Sequence, residues 1–509
     1  MQIRNGMLLE AIPDVDGLDD LTEEERRGVM MIREGSSEQA PIELAIRNLF
    51  VWAILGKAED VHIEGRGHRD SPVVHVHVRL PGGMVNFRFE PRGKEARHWE
   101  TKMFQLTGTS QGATTPEIAS TRFDIVLPAH FAVRHGLKPF EGDPSYRVDI
   151  RVEYTRTYNG FAFISRLLDS QRAPKLEELG LSYTLYRVIL RALNEPSGLI
   201  LVTGPTGSGK TTLLNAMLAV LNDGTRAIDT AEDPVEIALR GIGPIKQRQI
   251  GGNITFPRAL RSMLRSGPDV ILIGEIRDAE TMEIALQASQ TGHLVLATLH
   301  TNDSAETFSR ALDLTLDKSR DAFRLAQNLK LVVAQRLLTR YEGPVITRRL
   351  TRDEQQWLGA NGIPYGEEIS EVVPERAVGK VAVLEAVVTT PEIKQVIRAE
   401  RMDTSAIYRA ACDQDHFEPL AAGGVRAVQA HASTLHECMQ RLEGNTDARE
   451  HPSLRVRLAR EHGIDFVRVA EAIDAYHAAA DSGSKTTIEQ HVGTATLSAL
   501  SQLIEQEVA

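Results

Sequence analysis

Gly198-Leu-Ile-Leu-Val-Thr203 is an unbroken apolar run of the length of one buried strand. It delivers the chain into Gly204-Pro-Thr-Gly-Ser-Gly209-Lys210-Thr211, and the residues through Met217 then read as a helix. A strand, a glycine loop and a helix in that order confine this part of the chain to an α/β layout built to meet phosphate. Glycines at 204, 207 and 209 let successive backbone N–H groups converge on phosphate oxygens, and the helix adds the positive end of its dipole. Gly204, Pro205, Thr206, Gly207, Ser208, Gly209, Lys210, Thr211 and Thr212 are therefore the candidate nucleotide-binding residues. Lys210 is placed for the β- and γ-phosphates and Thr211 for a magnesium ion, so ATP and Mg2+ are the expected cofactors.

Three further segments supply polar groups to such a site. Asp269-Val-Ile-Leu-Ile-Gly274 reads as a second buried strand running into Glu275-Ile-Arg-Asp278, with a glycine where an aspartate commonly closes such a strand. Glu275 is then the acidic candidate beside magnesium, able to order an attacking water, although a strand-end carboxylate is also an ordinary cap or ion-pair partner. Ile228-Asp-Thr-Ala-Glu232-Asp233-Pro234-Val-Glu236 puts carboxylates after a short strand, where open α/β folds bind ligands; the alternative is an acidic turn held by Pro234. Thr291-Gly-His293-Leu-Val-Leu-Ala-Thr-Leu-His300-Thr301 brackets one apolar strand with two histidines. A histidine on such a strand is commonly a satisfied core residue, but this bracketing invites a sensor role.

Length and composition bound the rest. At 509 residues the chain predicts about three domains. With 42% hydrophobic and 25% charged residues it has an ordinary globular composition, and no apolar stretch approaches the roughly 20 residues of a spanning helix. No export signal marks Met1-Gln-Ile-Arg-Asn-Gly-Met, so a cytoplasmic location is expected. A net charge of −11 argues against a protein that neutralises phosphates along nucleic acid, and no direct nucleic-acid partner is expected. Cys412 and Cys438, far apart, indicate neither a disulfide framework nor a zinc ribbon.

The pattern along the chain predicts six segments. Residues 1–42 read as a polar arm, with Thr22-Glu-Glu-Glu25 opening a helix through Arg26, Arg27 and Met30. Residues 43–168 read as a small α+β domain, with a helix near Ile46–Leu55 and alternation in Val73-Val-His-Val-His-Val-Arg-Leu80. Strands are predicted at Arg147–Tyr154 and Phe161–Leu168 about a turn at Asn159-Gly160. Residues 169–175 read as a linker, 176–340 as the α/β domain, 341–450 as mainly helices and turns, and 451–509 as a helical tail.

Taken together, the glycine loop, Ala231-Glu-Asp-Pro-Val-Glu236, Ser266–Asp278 and Thr291–Thr301 resemble the Walker A, Asp box, Walker B and His box of the type II secretion and type IV pilus ATPases. All four occur in the family's order. Gln335-Arg-Leu-Leu338 closes the match, Ala58-Glu-Asp-Val-His-Ile-Glu64 resembles the opening of the family's N-terminal domain, and the resemblance spans roughly residues 43–450. It implies a RecA-like P-loop ATPase domain, preceded by a small α+β (PAS-like) N-terminal domain and followed by a helical C-terminal region. It further implies a homo-hexamer, peripheral at the inner face of the bacterial inner membrane, that hydrolyses Mg-ATP to power pilus assembly or secretion with an inner-membrane platform protein. By the same resemblance Glu232 is the catalytic carboxylate, Glu275 the Walker B glutamate beside the metal, and His293 and His300 the His-box pair. Arg151 and Arg166 of the N-terminal domain, with Arg261 and Arg265, match the arginines that neutralise charge on the transferring phosphoryl group.

There are departures. Residues 340–379 lack the two C-x-x-C pairs that many assembly enzymes of this family carry, so no zinc is expected; a Pro-Gln-Asp-Gly segment before the Arg151 strand is also missing, and no family counterpart is assigned to the tail. The competing readings are a conjugative or type IV secretion ATPase or a pilus-retraction motor of the same superfamily, a nucleic-acid motor, and a non-hydrolysing scaffold. Intact Lys210, Glu232 and Glu275 speak against the last.

Overall fold

A computed structural model of the chain describes residues 7–9, 15–18, 20–22, 41–68, 71–81, 83–87, 94–107, 117–139, 143–169, 174–239, 243–399, 401–442, 446–462 and 465–482. These fall into two compact units, 1–173 and 174–509. Among the described residues no helix is long and apolar enough to cross a membrane.

The first unit is built on strands β1 (Met7–Leu9), β2 (Asp60–His68), β3 (Ser71–Leu80), β4 (Gly83–Phe87), β5 (Ile118–Pro128), β6 (Ser145–Thr157) and β7 (Gly160–Leu168). They form one sheet in the order β1-β4-β3-β2-β7-β6-β5. Alternation decides which face is covered: Val74, Val76 and Val78 are fully buried, and the intervening histidines turn to the other face. The helices Pro41–Leu55 and Lys94–Leu106 bury Ile46, Leu49, Phe50, Trp99 and Phe104 in the same core. The β6–β7 hairpin turns through Tyr158 and Asn159, closed by the Thr157–Gly160 pair. One difference from the sequence reading is β1, which lies in the expected polar arm and pairs in parallel with β4. Its three residues, Met-Leu-Leu, are too few to show a period. The helix expected from Thr22 through Met30 lies outside the described residues.

The second unit carries β8 (Gly198–Thr203), β9 (Ile228–Glu232), β10 (Ile245–Gln249), β11 (Val270–Ile273), β12 (Leu294–Leu299), β13 (Leu329–Glu342), β14 (Val345–Arg349), β15 (Glu368–Val372) and β16 (Arg376–Val388). The main sheet runs β10-β9-β11-β12-β8-β13-β16, parallel except at the antiparallel β13–β16 edge, and β14 pairs with β15 apart from it. Strands β8, β11 and β12 are buried at every position because helices cover both faces, as unbroken apolar runs require. Leu199 and Leu201 face a core shared with helices Phe256–Met263 and Ala279–Gln290, and Ile200 and Val202 face one shared with Tyr183–Leu193 and Lys210–Leu221.

Residues 341–450 carry helices, but they also hold β14, β15 and all of β16, three strands that the reading as mainly helices and turns did not include. The signal in β16 was present in Val381-Ala-Val-Leu-Glu-Ala-Val-Val388, an apolar run that becomes a strand by pairing along β13. Beyond 450, helices Leu454–His462 and Phe466–Ser482 pack on the unit through Leu454, Phe466, Val469 and Ile473. Cys412 and Cys438 are buried, and burial pushes both thiols up to about 12.

Candidate active site

The glycine loop begins where β8 ends. Gly204, Gly207 and Gly209 have φ of +146°, +77° and +87°, and a Cβ on Gly204 would lie 2.5 Å from both the Gln335 carbonyl and Ser208 Oγ. A side chain there collides with the neighbouring strand, which is why glycine opens the loop. Gly209 is the N-cap of the helix Lys210–Leu221 and contributes no capping side chain, so the first N–H groups of the helix remain for a ligand. The Lys210 ammonium spans the loop, donating to the Gly204 carbonyl at 2.7 Å and the Pro205 carbonyl at 3.0 Å. Burial holds Lys210 below its ordinary value, with Glu275 and Glu236 opposing the effect.

Facing the loop are the carboxyl ends of β9 and β11. Gly274 marks where these ends crowd: a Cβ there would sit 3.2 Å from the Ala231 carbonyl and from the Glu232 backbone. That closeness accounts for glycine in place of the common aspartate. Glu275, the next residue, lies 2.9 Å from His300 Nε2 and 2.6 Å from Arg277 Nη2. Burial opposes its charge, but the Arg277 hydrogen bond and the nearby His300 and Lys210 prevail and hold it below the usual carboxylate value. Glu232 is in the opposite condition. It is 3% exposed, accepts from Thr230 Oγ1 at 2.6 Å and Gln247 Nε2 at 3.1 Å, and burial raises its pKa despite those donors. Two carboxylates whose environments push them apart in this way are suited to different tasks.

The loop, the helix start and the acidic strand ends enclose a cavity of about 290 Å³ lined by Thr206, Gly207, Lys210, Thr211, Glu232, Glu275 and His300, among others. Gly204, Pro205, Ser208 and Gly209 shape the loop without lining that cavity, and Thr212 does not line it either. Three of the lining residues, Thr211, Glu232 and Glu275, carry hard oxygen donors. They suit a magnesium ion that keeps several waters and is held partly by phosphate. Below the loop, Thr203 Oγ1 lies 2.6 Å from Thr301 Oγ1 and accepts from the Thr301 N–H at 2.9 Å, tying the P-loop strand to the segment that carries His300.

Other predicted residues lie elsewhere. His293 precedes β12 and His300 follows it, so the six-residue strand, on the order of 20 Å long, separates them. His293 Nδ1 donates to the Ala288 carbonyl at 3.1 Å and its own carbonyl accepts from Gly198 at the start of β8, so the structure does not bring it to the cavity. Arg261 pairs with Glu280 on the neighbouring helix, and neither Arg261 nor the exposed Arg265 lines the cavity. Arg261 lies in the last turn of helix Phe256–Met263, whose first residue, Phe256, does line the cavity, and Arg265 follows that helix.

In the first unit Arg151 and Arg166 are direct cross-strand partners. The register extends the row: Arg122 opposes Arg151, and Asp60 opposes both Arg166 and Arg79. Asp60 holds Arg166 at 3.1 Å and Arg79 at 3.4 Å, so the row sets four guanidinium groups along one sheet face with a carboxylate paired to two of them. The sequence reading missed Arg122 and Arg79, whose alignment is a property of register. It also missed Arg277, two residues beyond Glu275, for which an i, i+2 carboxylate–arginine spacing was the available signal, and the buried Arg336 within the Gln335-Arg-Leu-Leu segment, which adds positive potential at Lys210.

A family described as "Type II/IV secretion system protein" matches residues 143–440. Among curated relatives, the "Type IV pilus assembly ATPase PilB" of Pseudomonas aeruginosa is 33% identical over 442 residues, covering 79% of this chain and 76% of the relative. The "Type II secretion system protein E" of the same organism is 48% identical over 304 residues, covering 59% of this chain and 55% of that protein. The chain thus spans about half the length of the second relative. Among solved structures, the Legionella pneumophila ATPase DotB superposes with a TM-score of 0.58 at 19% identity, over 80% of this chain and 97% of that one. The pilus retraction motor PilT with bound ADP gives 0.53 at 24%, over 79% and 97%. At these identities the structures speak to the mixed α/β fold alone.

Proposed function

The chain belongs to the type II/IV secretion system protein family, a family of secretion ATPases, and on that premise we propose that it is a hexameric motor that hydrolyses Mg-ATP to power type IV pilus assembly or type II-like secretion. In this reading residues 176–340 are the RecA-like ATPase domain, residues 43–168 a PAS-like domain, and residues 341–450 the C-terminal subdomain. The motor acts at the inner face of the inner membrane against an inner-membrane platform protein.

The observation that carries the proposal is the opposition of the Lys210 loop to Glu232 and Glu275 across one cavity. The loop N–H groups and Lys210 bind and orient the β- and γ-phosphates, so the reacting phosphorus is held in place before chemistry. Thr211 and Glu275 would hold magnesium, which supplies charge neutralisation on the phosphate oxygens. Glu232, raised by burial and held by Thr230 and Gln247, is the group suited to take a proton from the attacking water. His300, 2.9 Å from Glu275, reports the state of that carboxylate to the segment clamped by Thr203. Arg151 and Arg166 are assigned the neutralisation of γ-phosphate charge, which makes turnover depend on the N-terminal unit.

The test is phosphate release by the full chain with and without Mg2+, beside nucleotide binding, for the wild type and Lys210→Ala. Turnover that needs the metal and is lost in Lys210→Ala is expected. Equal turnover by Lys210→Ala would remove the glycine loop from the mechanism.

A further inference from the structure

The second unit holds another cavity, of about 460 Å³, that shares no lining residue with the nucleotide cavity. Its place in the sheet separates the two. Leu329 and Lys330 line it at the start of β13, and Leu329 is in register with Leu199 near the start of β8, whereas the glycine loop leaves the other end of β8 at Thr203. The remaining walls come from helix Tyr183–Leu193, the end of β16, the loop through Asp415 and His416, and the two C-terminal helices.

Its charges are unbalanced in one direction. Two of the acids in the lining are neutralised, Glu195 by Lys330 at 3.0 Å and Asp413 by Arg457 at 2.8 Å, and the third, Asp415, lies between His477 at 2.6 Å and His416 at 3.2 Å. Arg187 is engaged as well, by Asp481 at 2.6 Å. Arg191 and Lys394 also line the cavity, and neither has an ion-pair partner among the described residues. Two such cations against the single charge of Asp415, in a chain of net charge −11, leave this concavity with positive potential.

The floor holds two further unanswered groups. His416 and Thr389 are 6% and 7% exposed, and among the described residues His416 Nε2 and Thr389 Oγ1 have no hydrogen-bond partner. A buried polar atom without a partner is destabilising, and a native fold that keeps two in one cavity calls for an explanation. The hydrogen-bond chain fixes their chemistry. Arg187 donates to His477 Nδ1 at 2.7 Å, which leaves the His477 proton on Nε2, 2.6 Å from one Asp415 oxygen but without the alignment of a hydrogen bond; His416 Nδ1–H meets the other Asp415 oxygen at 3.2 Å. Burial disfavours the charged form of His416, so with its proton on Nδ1 the Nε2 is a lone pair in want of a donor, and Thr389 offers a hydroxyl that gives or accepts. Val188, Ala192, Leu329, Val388 and Leu454 make the rest of the wall apolar.

We propose that this cavity binds a small hydroxylated phosphomonoester, its phosphate between Arg191 and Lys394 and a hydroxyl on His416, as a second ligand site remote from the nucleotide. The charge decides for phosphate over carboxylate: a phosphomonoester carries about −1.5 to −2 at neutral pH, matching two unpaired cations, whereas a single carboxylate answers one of them. Because His477 and Leu454 come from the C-terminal helices and Arg191 from the helix that leads into β8, the ligand fastens those helices to the ATPase core.

The experiment uses the full chain carrying Lys210→Ala, which silences the glycine loop as a phosphate site. Glycerol 3-phosphate is titrated by calorimetry, with glycerol and glycerate as controls, and hydrogen exchange is followed over residues 466–482. Saturable binding of one glycerol 3-phosphate per chain is expected, with slower exchange in those residues and no binding of glycerol. Adding Arg191→Ala, an exposed position whose change leaves the core intact, is expected to weaken binding at least tenfold, and Lys394→Ala is the independent second variant. No saturable binding at millimolar probe, binding indifferent to both substitutions, or tighter binding of glycerate would each overturn the assignment. Wild-type ATP turnover enters none of these readouts, so their failure leaves the motor proposal standing.

Discussion

Thr203→Val removes a single hydroxyl at the point where the P-loop strand is tied to the His300 segment. Thr203 is fully buried, accepts the Thr301 N–H at 2.9 Å, lies 2.6 Å from Thr301 Oγ1 and donates to the Leu299 carbonyl at 3.2 Å. Valine fills the same space, so no cavity opens, but the Thr301 N–H loses its acceptor. Thr301 Oγ1 keeps Thr307 Oγ1 at 2.7 Å, so one group is fully orphaned rather than two. An orphaned buried donor costs roughly 1–3 kcal/mol and the lost bonds about 1 more, which gives an expected loss of about 2–4 kcal/mol. Hydrogen exchange at the Thr301 amide reads this locally, and a loss of that size corresponds to exchange on the order of thirtyfold to a thousandfold faster. Turnover falls with it, because the spacing between the glycine loop and His300 is set by this clamp, while ATP affinity holds. Thr203→Ser keeps the hydroxyl and is expected to retain slow exchange. Unchanged exchange and turnover in Thr203→Val would refute the idea that this contact positions the site.

Three further outcomes follow from the geometry. Glu275→Gln keeps the shape and the His300 contact but not the charge, so ATP binding persists while turnover falls by about a hundredfold or more, read by phosphate release. Because burial raises Glu232, the acid limb of kcat/KM is expected above the ordinary carboxylate range: activity is lost as pH falls through that raised pKa and is full above it, and Glu232→Gln removes the limb along with most of the rate. Arg151→Ala slows hydrolysis by the full chain with an unchanged unfolding profile of the ATPase unit; normal turnover would remove Arg151 from the proposal.

What could be read from the sequence was what is contiguous. The strand, glycine loop and helix lie within about twenty residues, and each glycine there answers a local steric demand, so pattern and chemistry coincide. Glu275 and Glu232 could be placed because each ends a buried parallel strand, where such folds gather ligands. His293 lies apart from the cavity that His300 lines because a residue before a parallel strand is at the opposite edge from one after it, and a motif that brackets a strand conceals this. The arginine row depends on the register of five strands, and no single strand discloses it. The grip of the tail on the core was equally hidden, since Asp474 meets Thr184 and Asp481 meets Arg187 across almost 300 residues of chain.

The central claim is a motor whose turnover belongs to an assembled ring, and it is tested most directly by ATPase rate against protein concentration, with oligomeric mass recorded on the same samples with and without nucleotide. The account predicts that turnover per chain rises as a six-subunit species appears and that nucleotide promotes that species. Full turnover by a monomer at every concentration would contradict it, leaving an ATPase whose site is complete within one chain.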